Sequence, residues 1–181
     1  MFKCLLVVGA LALAPLSAAQ AQSHPQASAP AAQPSDPQIA HIAYTAGQLD
    51  IEAADQALAK STNAEVRAFA ETMKRDHAAV NEQAMALVKK LNVTPEANAT
   101  STALTEAAAR ERERLSGLSG MAFDRAYIDN EVAFHRTVNE ALRGTLIPGA
   151  RNAELKALLE RGLALFQEHQ AHAEQLARHV R

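Results

Sequence analysis

The stretch VRAFAETMKRDHAAVNEQAMALVKKL, residues 66–91, decides the fold. Apolar side chains return every three or four positions, at Val66, Phe69, Ala70, Met73, Val80, Ala84, Leu87, Val88 and Leu91. That spacing lines one face of an α-helix, the face a helix buries against its neighbours. His77 sits on the same face, where a leucine would be ordinary. TNAE, Thr62 to Glu65, predicts a capping box at the start of this helix, and Asn92 to Pro95 predict its end.

The same period appears on both sides of that stretch. Toward the N-terminus, Ile39, Ile42, Ala46, Leu49, Ala53 and Ala57 predict a first helix that opens at Asp36-Pro37 and runs to about Lys60, with Glu52 beside its stripe. Toward the C-terminus a weaker helical segment, about Ser101 to Leu115, carries RERER, whose alternating signs predict a solvated face. SGLSG then breaks the chain. A third long helix, about Met121 to Arg143, places Met121, Ile128, His135 and Leu142 seven residues apart, and Gly144 is expected to close it. Pro148-Gly149 predicts a turn and Asn152 a cap. A last helix follows with Leu155, Leu158, Leu159, Leu165, Phe166, His169, Ala173, Leu176 and Val180 on one face. Nothing reads as a strand. The prediction is an all-α, antiparallel four-helix bundle with a short extra helix between the second and third long helices.

Composition limits the rest. A chain of 181 residues suits one domain, and its 48% apolar content with 4% aromatics and no Trp implies a core of Ala, Leu, Val and Ile. Eighteen basic and 20 acidic residues give a net charge of -2, which offers no bulk attraction for nucleic acid or anionic lipid. MFKCLLVVGALALAPLSAAQAQ reads as a secretory signal over residues 1–21, with Ala19-Gln20-Ala21 as the cleavage pattern. Its apolar run is shorter than the roughly 20 residues that span a bilayer, so no transmembrane anchor is expected after processing. Cys4, the single cysteine, leaves with the signal, so neither a disulfide nor a thiol is expected in the mature domain. Residues 22–36, rich in Ala, Gln, Ser and Pro, read as a disordered tether, and residues 37–181 as the bundle domain. The expected compartment is the periplasm.

His77, His135 and His169 stand on the apolar stripes of three different long helices. Two explanations keep imidazoles in a core. They can ligate a divalent transition metal such as zinc, copper or iron, or they can hydrogen-bond to buried carboxyls and carbonyls. Periodicity fixes their face but not their height, so both explanations stay open. Glu52, Glu131 and His172 are candidates for a further ligand, and Asp76, beside His77, for a carboxylate partner. A di-iron carboxylate centre is not expected, because such bundles use Glu-x-x-His on two helices and the chain has none. Catalytic nucleophile and phosphate-loop motifs are also missing, so no catalytic residue is assigned.

Three segments carry a resemblance: EVRAFAETMKRDHAAVNEQ from Glu65, LSGMAFDRAYIDNEVAFHRTV from Leu118 and LFQEHQAHAEQL from Leu165. Together they resemble the secreted bacterial family called domain of unknown function 4142. The shared motifs fall on Asp76 and His77, on Gly120, Phe123, Asp124, Tyr127 and His135, and on His169. The resemblance implies a ferritin-like bundle over about Gln38 to Val180. Members are often labelled predicted outer-membrane proteins, but a signal followed by a helical bundle argues for the periplasm instead, with outer-membrane association as the alternative expectation. It supplies no activity.

The sequence therefore favours a non-enzymatic secreted bundle that binds an envelope protein or a small ligand, in stress or maintenance of the envelope, with its histidines as hydrogen-bonding core residues. The alternative is a metal-binding or metal-dependent redox protein that uses them as ligands. A third class is a homo-oligomer formed through the Ala-rich stripes.

Overall fold

The computed structural model describes residues 33–180. The expected signal, residues 1–21, and residues 22–32 of the expected tether lie outside the described residues. Six helices follow one another: α1 (Asp36–Lys60), α2 (Ala64–Lys90), α3 (Ala99–Ser116), α4 (Gly120–Ala141), the single turn α5 (Ile147–Gly149) and α6 (Ala153–His179). No strand occurs among the described residues.

Contacts at the helix ends fix the direction of each element. The Glu96 amide donates to Pro37 O and Asn98 Nδ2 to Gln38 O, so the start of α3 lies beside the start of α1. Lys60 donates to Ser116 O, which puts the end of α3 beside the end of α1. Asp36 accepts from the amides of Arg151 and Asn152, which brings the start of α6 to the start of α1. The path is up, down, a return over α3, down and up. α1 packs mainly on α2 and α4 on α6, and the two hairpins meet through α2 with α6 and α1 with α4. This is the four-helix bundle with one long crossover that characterises ferritin-like folds.

The crossover is the expected extra helix, 18 residues long and shorter than the four long ones, and it carries the chain back along the bundle before α4 can descend. It buries only Ser101 and Leu115. Local chemistry departs from expectation at three joints. Ser35, not Asp36, caps α1, in a reciprocal box with Gln38, which leaves the Asp36 carboxylate free to clasp the start of α6. Asn63, not Thr62, caps α2, its Oδ1 accepting from the amides of Glu65 and Val66. Gly144 does not close α4: the chain continues through a π-helical turn, Leu142–Leu146, into α5. Pro148 has no amide for the carbonyl four residues back and its ring crowds it, and widening the turn so that Ile147 N–H bonds Leu142 O accommodates both.

The core is not continuous. One apolar cluster, with Val66, Phe69, Met73, Leu115, Phe123, Ile128 and Leu176, fills the end of the bundle where α1 stops. Another, with Ile39, Ile42, Leu142, Leu146, Leu155, Leu159 and Phe166, fills the end where α1 starts. Between them lies a buried polar belt: Asp50, His77, Asn81, Glu131, His135, Asn139 and His169.

Candidate metal centre

Each helix contributes to the belt through its own periodicity. His77 lies four residues after Met73 and His135 seven after Ile128, so a helix that buries its apolar stripe must bury its histidine. The three rings are level. His77 Nε2 is 3.4 Å from His135 Nε2, and one nitrogen from each of His77, His135 and His169 lies within 4.8 Å of the other two. Their relative exposures are 2%, 1% and 4%, so bulk water does not account for their polar atoms.

The remaining long helix, α1, supplies Asp50, which sequence reasoning missed. Its Oδ2 stands 3.5 Å from His77 Nε2 and 3.6 Å from His135 Nε2. The signal was present, since Asp50 is four residues after Ala46 and three before Ala53, on the stripe itself. Gly47, one turn earlier, makes room for the Asn81 amide: a β-carbon there would be 2.5 Å from Asn81 Oδ1.

Partners outside the triangle orient the rings. His135 Nδ1 is 3.0 Å from the Glu131 carbonyl, which accepts its proton and leaves Nε2 as a lone pair directed at the other two atoms. The neutral ring of His169 donates Nε2–H to Asp76 Oδ2 at 3.0 Å, and its Nδ1 is buried without a partner. His135 and His169 are thus held as metal-binding histidines are, one nitrogen hydrogen-bonded so that the other presents its lone pair, while His77 has no such partner on Nδ1. Phe166 stacks on His77 with centroids 4.6 Å apart and covers the rings from the side of α6.

Burial dominates the electrostatics of the site. Burial, and then the neighbouring imidazoles His135 and His169, hold His77 well below its ordinary pKa, and burial lowers His135 to about 4. Burial raises Asp50 to about 8, and burial together with the Asp50 charge pushes Glu131 well above the carboxylate range. Tyr127 OH, His77 Nδ1 and Asn139 Oδ1 are buried with no hydrogen-bond partner, while the raised Asp50 and Glu131 carboxyls share a side-chain hydrogen bond. Such groups are rare in native cores, where ordered water or another species usually partners them.

The other sequence candidates stand as follows. Glu131 is beside the cluster, its Oε2 3.6 Å from His135 Nδ1, and with Asp50 and His135 it forms a second group whose ligand atoms lie within 4.8 Å. Asp76 partners His169 and not the adjacent His77. Glu52 is turned away and pairs with Arg112 at 2.9 Å. His172 is exposed and packs edge-on against Phe69 at 5.2 Å.

A DUF305 protein from Streptomyces coelicolor has a similar structure, with a TM-score of 0.68 and 13% identity over 79% of this chain and 91% of that one. At that identity the likeness shows the fold alone. Comparison with curated proteins gives no match. No helix among the described residues is long and apolar enough to cross a membrane. The family model for the domain of unknown function DUF4142 matches residues 21–176, and the chain belongs to that family.

Proposed function

We propose that the protein is a secreted, non-enzymatic metal-binding bundle that holds one divalent transition metal on His77, His135, His169 and Asp50. The observation that carries this reading is the triangle formed by His77 Nε2, His135 Nε2 and Asp50 Oδ2, with edges of 3.4, 3.5 and 3.6 Å. Ligands about 2.0–2.1 Å from a tetrahedral ion are spaced by about 3.3–3.4 Å, so the triangle has the size of one face of a zinc-type site. Nitrogen-rich donors with one carboxylate suit zinc or copper better than magnesium or calcium. Four protein ligands fill a tetrahedron, which favours retention of the ion over catalysis at an open position.

The opposing explanation, histidines as hydrogen-bonding core residues, fits less well. Direct bonds inside the belt pair Asp50 with Glu131 but leave His77 Nδ1 and His169 Nδ1 without partners. A cation would take His169 Nδ1 and an Asp50 oxygen as ligands, while His77, which offers Nε2, keeps its Nδ1 unpartnered. The signal-like N-terminus supports delivery to the periplasm, where such a protein would buffer or carry metal in the envelope.

Elemental analysis of the mature protein, purified without chelator or histidine tag, tests the proposal beside His77→Ala. About one metal per chain, lost in the variant, is the expected result. A metal-free wild type that refuses added zinc and copper, with a folded but less stable His77→Ala, returns the histidines to a hydrogen-bonding role and the search to envelope partners.

A further inference from the structure

A cation held among residues exposed by 4% or less needs a way in. A cavity of about 220 Å³ lies between α1, α3 and α4, far above the roughly 10–15 Å³ that admits one water. Ala107 and Thr137, on its lining, are exposed, and Glu111 lies beside them. The buried residues Asp50 and Glu131 are also on its lining, as is Arg112, whose charge is paired with Glu52. A second cavity, of about 50 Å³ and lined by Val80, Leu142, Leu159 and Phe166 among others, meets no carboxylate. A divalent ion sheds water only where other oxygens replace it, so the apolar cavity is a barrier to the ion and the carboxyl-lined one is not.

We infer that this cavity is the route by which the metal enters and leaves, and that Glu131 is a transient ligand which passes the ion through Asp50 to the histidines. The inference rests on the metal reading above and adds a path to it. Three observations support it. Glu131 is buried, is one of the residues that line the cavity, and shares a side-chain hydrogen bond with Asp50. The Asp50–Glu131–His135 group shares His135 with the three-histidine group, so the two overlap as successive stations would. Asp50 belongs to both: it lines the cavity, and its Oδ2 is one corner of the triangle with His77 and His135. The ion exchanges water for carboxylate oxygen first and carboxylate oxygen for imidazole nitrogen last. α3 closes the cavity from outside with little of its own surface buried, so its helix face sets how wide the passage is.

The test separates rate from equilibrium. Metal-free mature protein is mixed with zinc, loading is followed by stopped-flow with a chromophoric chelator, and release by excess chelator. Ala108→Phe fills the cavity without touching a ligand. It is expected to slow loading and release alike by about tenfold, with stoichiometry and affinity unchanged, and circular dichroism verifies its fold. Glu131→Gln keeps the shape but cannot lose a proton to become an anionic oxygen ligand, and is expected to slow loading several-fold. Wild-type rates in Ala108→Phe overturn the route, and wild-type loading in Glu131→Gln overturns the handover, while one zinc per chain still binds in both cases. If the wild type binds no zinc or copper at all, the metal reading fails first.

Discussion

Asp76 is next to His77 in the chain, yet its carboxylate serves His169, 93 residues away, at 3.0 Å. Arg75 holds the other Asp76 oxygen at 2.8 Å, and these partners bring its pKa below the usual value despite the opposing effect of partial burial. The carboxylate therefore stays charged and keeps the His169 proton on Nε2. Asp76→Asn should leave the fold intact and lower metal affinity by about 10–100-fold, the usual cost of losing an outer partner of a ligating histidine. Competition titration against a chelator of known affinity checks this, and an unchanged affinity would remove Asp76 from the site.

Asp50→Asn should act in opposite directions on two readouts. Burial lifts the Asp50 carboxyl to about 8, so without metal its ionisation opposes folding at alkaline pH. The amide cannot ionise. The metal-free variant is expected to melt higher than the wild type at about pH 8.5, and to bind metal more weakly than Asp76→Asn does. Thermal melts in chelator and with added zinc read both effects. A lower melting point in chelator would mean that the charge is compensated in the metal-free protein.

The pH profile of the metal-free protein follows from the same groups. His77, His135 and His169 all have lowered folded values, so their contribution is complete above the unfolded value of 6.5 and lost as pH falls, toward about 4 for His135. Asp50 and Glu131 have raised folded values, so theirs is complete below the unfolded values of 3.8 and 4.5 and lost as pH rises, to about 8 for Asp50. Between about 4.5 and 6.5 the two trends oppose each other; above 6.5 only the carboxyl trend is left. The melting temperature in chelator should change little across the lower window and fall from about pH 6.5 to 8. Saturating zinc, which needs Asp50 ionised, should abolish that fall. A melting temperature that climbs steadily to pH 8 in chelator contradicts the assignment.

Gly47→Ala would ordinarily stabilise a helix interior by about 0.5–1 kcal/mol. Here the new methyl meets Asn81 Oδ1 at 2.5 Å and must displace the amide, so a loss of about 1–3 kcal/mol is expected instead. Denaturant unfolding of Gly47→Ala and of the double variant with Asn81→Ala separates the causes. The second substitution should recover most of the loss; no recovery would place the clash elsewhere.

Glu52→Gln and His172→Ala should leave metal stoichiometry and affinity at wild-type values. The first removes a surface pair with Arg112 and the second an edge contact with Phe69. A tenfold loss of affinity in either would mean that the ligand set is wrong.

Helix periodicity made the bundle legible, because a 27-residue amphipathic pattern such as α2 repeats its signal through many turns. It also placed His77, His135 and His169 on buried faces. It could not place them level, since height depends on end contacts such as that of Asp36 with the start of α6, made between residues more than 100 positions apart. Asp50 was hidden by its type: an aspartate between Leu49 and Ile51 reads as solvent-facing unless the turn above it, Ala46, and the turn below, Ala53, are counted as its neighbours. Asp76 and Glu52 were both assessed by proximity in sequence. Asp76 reaches across to another helix, and Glu52, two residues after Asp50, points about 200° around α1 from it. The π-helical turn was unreadable because a Gly followed by Pro-Gly has the composition of an ordinary stop.

The polar belt also has a mechanical meaning. Asp50 and His77 belong to the α1–α2 hairpin, His135 and His169 to the α4–α6 hairpin, and α3 alone carries the chain between them. Each hairpin holds half of a ligand set that neither can complete. A cation seated in the belt would fasten the seam between the hairpins like a rivet, so a force that pulls them apart would have to extract it before the helices slide. The metal-free chain would yield along that seam first, as two hairpins on a helical strap.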